Sequence, residues 1–453
     1  MGELEGKIAE AALSSAETAL ETQRIGGLQI RVAMLCTLVQ ICDGYDMGSI
    51  GWAMPPLTHV WHLVPSAFAL TFLWSSVGVV IGAPLAGPIG DRFGRRPLLL
   101  ASVALLGAAS LLTAFAGSLF MLSLCRFFTG LGLGGAFPSA ATLAGDYAPQ
   151  RLRVTLIMAT FTGAPFRGFV GGLIVSLLLA RGFGWPVIFI LGGAFPLVLL
   201  PMLALWLPES PRFLAQKANL SWRQAALLDR LAITPGQTDP QVLDLARGNP
   251  VKMLFGRGYA LQTVLLWIIF FCSLMDLFLF VYWLPEVLHL VGLTPAQAVF
   301  ASSPFPLGGV CAALYLGMLI DRFGPERALA LHYAIGAGFI ALIALVAMPY
   351  TLLLAVIFFS GMTIIGSQTG ANGTCGKLYP ARMRTSGLGW AIGIGRIGSV
   401  VAPMLGGYLL SIGLPPTQIF LSACLIALAA ATATALLALR AVPAGAIQPE
   451  PAR

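Results

Sequence analysis

One phrase of about ten residues occurs twice in this chain, and each copy lies between two long apolar runs. Residues 87–96 read Gly87-Pro-Ile-Gly-Asp91-Arg92-Phe93-Gly94-Arg95-Arg96. Residues 317–327 read Gly-Met-Leu-Ile-Asp321-Arg322-Phe323-Gly324-Pro-Glu-Arg327. The offset is 230 residues in a chain of 453, and other pairs keep it to within two residues. Phe127-Phe128-Thr129-Gly130 matches Phe358-Phe359-Ser360-Gly361, and Tyr147-Ala-Pro-Gln-Arg151-Leu-Arg153 matches Tyr379-Pro-Ala-Arg382-Met-Arg384. Asp46 corresponds to Asp276. A chain that repeats itself at half length is expected to fold as two similar halves.

Composition decides the solvent around those halves. Hydrophobic residues make up 58% and charged residues only 10%, where a water-soluble domain carries roughly 25% charged residues. The charges cluster, and between clusters lie runs long enough to cross a bilayer as helix, about 20 residues each. The expected segments are 28–57, 65–89, 97–117, 119–145, 153–180 and 185–207, then 259–284, 295–320, 328–347, 350–376, 385–411 and 415–440. This is an all-α membrane protein with twelve transmembrane helices in two pseudo-symmetric six-helix halves. The domains are an N-terminal tail at 1–27, a first half at 28–207, a central loop at 208–257, a second half at 258–440 and a C-terminal tail at 441–453. The central loop is charged, with room for a short amphipathic helix near 221–232.

Lysines and arginines set the orientation. Arg24, the 92–96 cluster, Arg151, Arg153, the central loop, Arg322, Arg327, Lys377, Arg382 and Arg384 fall on one side, and the opposite loops carry only Arg181. Both termini are therefore expected in the cytoplasm. The net charge of +8 then reflects topology and implies no nucleic-acid partner. Glu3, Glu5, Glu10 and Glu17 precede any apolar stretch, which argues against a cleavable signal peptide. Seven scattered cysteines without a CxxC pair and four dispersed histidines give no metal-ligand spacing, and no metal or cofactor is expected.

Six ionisable residues lie well inside apolar segments: Asp43, Asp46, Arg126, Arg167, Asp276 and Arg396. Each costs roughly 2.5–3.5 kcal/mol at a helix centre on insertion scales, so such residues face the bundle interior or a wet cavity. Three acids and three bases form a set able to pair. Asp43 and Asp46 are three apart and share a helix face, a pair suited to binding and releasing a proton, with Arg126 as its charge partner. Arg396 and Arg167 hold nearly equivalent places in the two halves, and a guanidinium fork suits a carboxylate. Two readings of Arg167 and Asp276 stay open: a structural pair, or contacts to a substrate with Arg167 as a second carboxylate ligand. Gln368 and Asn372 are one turn apart and suit a substrate hydroxyl. Gln40 sits one turn before Asp43, and Tyr45 and Trp390 offer ring faces for an aromatic substrate.

The motifs resemble those of the major facilitator superfamily over nearly the whole chain. Gly87-x-x-x-Asp91-Arg92-x-Gly94-Arg95-Arg96 is similar to the family signature between its second and third spans. Arg126-x-x-x-Gly130-x-Gly132-x-Gly134 is similar to its fourth-span motif, and Pro208-Glu209-Ser210-Pro211-Arg212 to its linker motif. Asp43-Gly44-Tyr45-Asp46 resembles the DGxD motif of the aromatic acid:proton symporters, bacterial carriers of benzoate- and 4-hydroxybenzoate-like compounds. The Trp283-Leu284-Pro285 end of the seventh segment and the Arg384/Arg396 pair fit that group too. The resemblance implies a monomeric carrier in a bacterial cytoplasmic membrane, not an enzyme. It would import a small aromatic acid with protons by alternating access.

In this reading Asp43, Asp46 and Arg126 couple to protons, and Arg396 is the foremost substrate contact. Gly87, Asp91, Arg92, Gly94, Arg95, Arg96, Asp321 and Arg322 form cytoplasmic latches. The rival readings are a carrier of another organic anion, such as muconate, a phthalate-like diacid or a sugar acid, and a non-transporting receptor on a carrier fold.

Overall fold

The computed structural model describes residues 26–148, 166, 168–215, 254–256, 259–379 and 381–440. Among them every regular element is a helix. A bilayer core supplies no water to backbone N–H and C=O groups, and a helix satisfies them within one segment. The elements are α1 (Gly27–Trp61), a short 3₁₀ turn (Pro65–Phe68), α2 (Ala69–Phe93), α3 (Arg95–Thr113), α4 (Leu119–Tyr147), α5 (Gly168–Ala180), α6 (Pro186–Trp206) and α7 (Pro211–Ala215). There follow α8 (Ala260–Leu290), α9 (Pro295–Ser302), α10 (Pro304–Phe323), α11 (Pro325–Leu345), α12 (Tyr350–Leu378), α13 (Ala381–Ser411) and α14 (Thr417–Arg440). Nine of the described helices are long and apolar enough to cross a membrane. Both tails up to residue 25 and from 441, the expected helix at 221–232, and Arg167 lie outside the described residues.

Two helix boundaries depart from the sequence reading. α8 continues to Leu290, past the expected end at 284. Pro285 sits inside it, removing the N–H that would have bonded the Val281 carbonyl. Gly51 of α1 packs there, and a Cβ at 51 would lie 2.6 Å from the Val281 oxygen. The expected segment 295–320 is broken instead of continuous. α9 ends at Ser302 and α10 starts at Pro304, because Pro304 and Pro306 each lack an amide for the ladder.

The chain divides into two compact units. The first holds Met1–Gly248, Val281–Pro306 and Pro403–Gly413; the second holds Asn249–Phe280, Leu307–Ala402 and Leu414–Arg453. In the first, α4 is central: α2 and α3 pack along it, α1 crosses it, and α6 packs on α3 and α1. Its core joins Val32, Val39, Leu99, Leu106, Leu133 and Leu199. In the second, α11 packs against α14 and α12, around Leu266, Phe270, Tyr333, Tyr379 and Ala430.

The repeat read in the sequence is also a repeat of geometry. In the first unit a Cβ on Gly78 would overlap the Phe127 carbonyl, and in the second a Cβ on Gly308 would overlap the Phe358 carbonyl. Both helix pairs thus approach until only hydrogen fits between the backbones. Gly94 and Gly324 end α2 and α10 with φ of +107° and +82°, a region that disfavours side chains. Arg92 stacks on the Phe93 ring at 5.4 Å and Arg322 on Phe323 at 5.3 Å.

Candidate functional site

The best-defined polar site lies in the first unit, where α1 crosses α4. Arg126 is completely buried and Asp46 is 3% exposed. Arg126 Nη2 donates to Asp46 Oδ1 at 2.8 Å, and Nη1 donates to Ser49 Oγ at 3.1 Å. The Ser49 hydroxyl donates a hydrogen bond to the Asp46 carbonyl at 2.7 Å, which fixes its oxygen as acceptor for the arginine. The guanidinium also lies over the Phe189 ring of α6, 5.2 Å from its centroid, a cation–π contact in a dry setting. Arg126 Nε keeps no hydrogen-bond partner. The pairing expected between the α1 acids and Arg126 is therefore present at Asp46. Asp43 is one turn earlier on α1, and its side chain lies outside the described residues.

Tyr45 and Gln40 brace this site. The Tyr45 hydroxyl donates to the Ile188 carbonyl at 2.9 Å, and its ring meets Trp52 edge-on at 5.3 Å. Gln40, fully buried, donates through Nε2 to the Phe137 carbonyl at 3.3 Å and leaves Oε1 unpartnered. Both tie α1 to its neighbours.

The second unit holds Arg396, Trp390, Gln368, Asn372 and Asp276. Arg396 is on α13, half-buried, its carbonyl accepting from Ser399 at 2.7 Å. Beside it Gly389, Trp390, Gly393, Ile394 and Ile397 line a cavity of 540 Å³. Trp390 stacks on Trp267 at 5.9 Å. On α12, Gln368 Oε1 and Asn372 Oδ1 both lack partners. Asp276 on α8 is 1% exposed, and its Oδ1 makes no hydrogen bond. Among the described residues no ion pair joins Asp276 to Arg396.

The motif turn after α2 is built differently from a simple arginine latch. Asp91 does pair with Arg95, one turn on. The N-terminus of α3, however, is capped by Glu209 from beyond α6. Its Oε1 accepts from the backbone amides of Arg95 at 2.9 Å, Arg96 at 3.0 Å and Ser210 at 2.8 Å. An anion at a helix N-terminus meets unsatisfied amides and the positive end of the dipole. Arg96 reaches the Ala204 carbonyl, Ser210 donates to Asp146 at 2.6 Å, and Tyr147 donates to the Glu209 carbonyl at 2.6 Å. A Cβ on Gly94 would overlap the Glu209 carboxylate. Gly87 is on α2 one turn before Asp91. Arg92 is exposed beside Phe93, Arg322 likewise beside Phe323, and the Asp321 side chain is outside the described residues.

Two buried groups escaped the sequence reading. His332 on α11 bonds Tyr315 of α10 through Nε2 and Ser367 of α12 through Nδ1, at 2.9 Å. Its partners come from two other helices, and no local spacing signals that. Glu286 is fully buried on α8, in the turn that the sequence reading placed after the helix.

Known proteins align with the chain as the fold suggests. The Major Facilitator Superfamily pattern matches residues 36–394 and, again, 266–453. The 4-hydroxybenzoate transporter PcaK of Pseudomonas aeruginosa is 33% identical over 425 residues, covering 92% of this chain and 94% of that protein. The gallate transporter of Pseudomonas putida is 34% identical over 420 residues, covering 91% and 93%. The benzoate transport protein of Acinetobacter baylyi is 28% identical over 402 residues, covering 86% of each. A solved D-xylose-proton symporter shares the fold, with a TM-score of 0.68 at 19% identity over 89% of this chain and 97% of that one. With the family pattern on most of its length and relatives a third identical across about nine-tenths of it, the chain belongs to the Major Facilitator Superfamily.

Proposed function

We propose that this protein is a proton-coupled symporter that imports aromatic carboxylates by alternating access, as a monomer in a bacterial cytoplasmic membrane with both termini inside. The observation that carries the reading is the buried Asp46–Arg126 pair, one turn from a second acid, Asp43. An intramembrane ion pair is costly to keep, and a carrier has a use for it. Protonation of an α1 acid releases the arginine, and loss of the proton recaptures it. That exchange ties proton uptake to a rearrangement of α1 against α4.

The substrate side of the reading rests on α13. Gly389 and Gly393 leave room for a flat ring, Trp390 offers a face to it, and Arg396 suits its carboxylate. Gln368 and Asn372, with free carbonyl oxygens, are suited to ring hydroxyls. Relatives named for 4-hydroxybenzoate, gallate and benzoate support this substrate class. Tyr45 and Gln40 contribute by holding α1, and Arg167 and Asp276 remain candidates for a second polar contact. Gly87, Asp91, Arg92, Gly94, Arg95 and Arg96, with Asp321 and Arg322, act as cytoplasmic latches.

The test is uptake into proteoliposomes under an imposed pH gradient, over benzoates, hydroxybenzoates and dicarboxylates. Accumulation of aromatic monoacids that collapses with the gradient is expected. If no aromatic acid accumulates, the reading is wrong; preferential accumulation of diacids would move it to another organic anion.

A further inference from the structure

Glu286 is buried, acidic and without a partner, and the coupling scheme above leaves it without a task. It is 0% exposed, and among the described residues neither carboxylate oxygen has a hydrogen-bond partner. It belongs to the first unit through the segment Val281–Pro306. Its neighbours on α8 fix the face it occupies. Tyr282, four residues earlier, stacks on Phe72 of α2 at 4.5 Å, and Trp283, three residues earlier, meets the same ring edge-on at 5.7 Å. Residues three and four apart share a helix face. Gly51 of α1 packs on the Val281 and Tyr282 carbonyls, Gly406 on Trp283, and Gly407 on Ala69. Glu286 thus lies where α8 closes against α1 and α2, at the end where α1 finishes and α2 begins.

Among the described residues no hydrogen bond or ion pair reaches its carboxylate, and Arg181, the basic residue of the external loops, is exposed. Residues 47–90, 281–306 and 403–413 contain no Lys, Arg or Asp, and Glu286 is their one Glu. His59 and His62 at the end of α1 are exposed. His289 is half-buried, with Nδ1 bonded to the Leu293 carbonyl at 2.8 Å. Tyr45 is committed to Ile188, Tyr282 to the Phe72 stack, and Tyr408 faces outward. Arg126 is held by Asp46 and Ser49. An ionised carboxylate without donors or a cation does not belong in such packing; the neutral acid fits it.

We propose that Glu286 is a second proton-binding site, distinct from Asp43 and Asp46, whose proton seals the external end of the carrier. This rests on the alternating-access reading, which puts the end of α1 outside. With that end open, Glu286 is hydrated and gives its proton to external water. Closure requires the proton back from the same side, and reopening returns it there. The proton therefore gates the cycle and is not carried across.

The experiment uses Ala69→Cys, buried beneath Gly407, as a reporter in intact cells with a membrane-impermeant maleimide. Its labelling rate is divided by that of Val64→Cys, which is exposed, so that thiol chemistry cancels, and the chain without either cysteine gives the background. The normalised rate is expected to rise as external pH rises. Glu286→Gln and the apolar, similarly sized Glu286→Met should each hold it low at every pH. If the parent shows no pH dependence, or both variants keep the parent's, the proposal is overturned. In proteoliposomes Glu286→Gln, which opens outward less often, should slow gradient-driven uptake but leave the proton-to-substrate ratio unchanged; a ratio lowered by one proton would make Glu286 a transported-proton site and overturn the gating role. The labelling needs no substrate, so a parent that fails to accumulate aromatic acids would sink the symporter reading alone.

Discussion

At the scale of the residue, Asp46 and Arg126 show how a buried pair is held. Three helices contribute: the acid and Ser49 from α1, the base from α4 and an aromatic face from α6. Arg126→Leu leaves the carboxylate alone, a loss of about 3–5 kcal/mol for a broken buried pair. The melting temperature in detergent should fall sharply, and Asp46→Leu added to it should restore most of the loss. Asp46→Asn is expected to keep substrate exchange across the membrane but lose gradient-driven accumulation; normal accumulation would remove Asp46 from the coupling. Arg396→Ala should weaken substrate binding by roughly ten- to a hundredfold, the worth of a charged hydrogen bond, read as a lost substrate-induced thermal shift. The pair was legible in the sequence because isolated charges in apolar runs demand company. Glu286 was hidden by its own neighbour, since Pro285 reads as a helix end. His332 was hidden because Tyr315 and Ser367 reach it only through the packing of three helices.

At the scale of the element, close approach and capping govern the helices. α2 and α4 touch through Gly78 and Gly130, where any Cβ meets opposing backbone. Gly130→Val is therefore expected to cost about 1–3 kcal/mol or more of overpacking, visible as lost monodispersity in size-exclusion chromatography, and Gly308→Val should do the same on α10. Glu209 accepts from two amides at the start of α3, those of Arg95 and Arg96, and from the Ser210 amide beside it. Glu209→Gln, which weakens that cap, should lower stability by about 0.5–2 kcal/mol, seen as a lower melting temperature. Apolar length was enough to find most helices to within a few residues. The exceptions sit at prolines. Pro285 is tolerated inside α8, where Gly51 lies against the carbonyl it frees, whereas Pro304 and Pro306 split α9 from α10. Local sequence is the same signal in both cases, and tertiary packing decides the outcome.

At the scale of the whole molecule, the repeated phrase has become a repeated shape: paired glycine crossings, paired left-handed turns and paired arginine–phenylalanine stacks. The side chains have diverged around that shared backbone. Asp43 has Ser273 at its equivalent place and Arg126 has Ile357, so the ion pair exists in one half only. Apart from Arg181, the basic residues of the loops lie on one side of the expected topology, and a tag on the C-terminal tail should resist protease added to intact cells and be cut in inverted vesicles; the opposite result would reverse the orientation. The two equivalent tyrosines add one more consequence. Tyr147 bonds the Glu209 carbonyl, and Tyr379 bonds Thr263 at 3.0 Å, so each of these bonds closes within its own part of the chain. A gene cut between the codons for Ala215 and Leu254 would leave both anchors whole, and the two fragments, made from separate messages in one cell, should find each other and rebuild a working carrier.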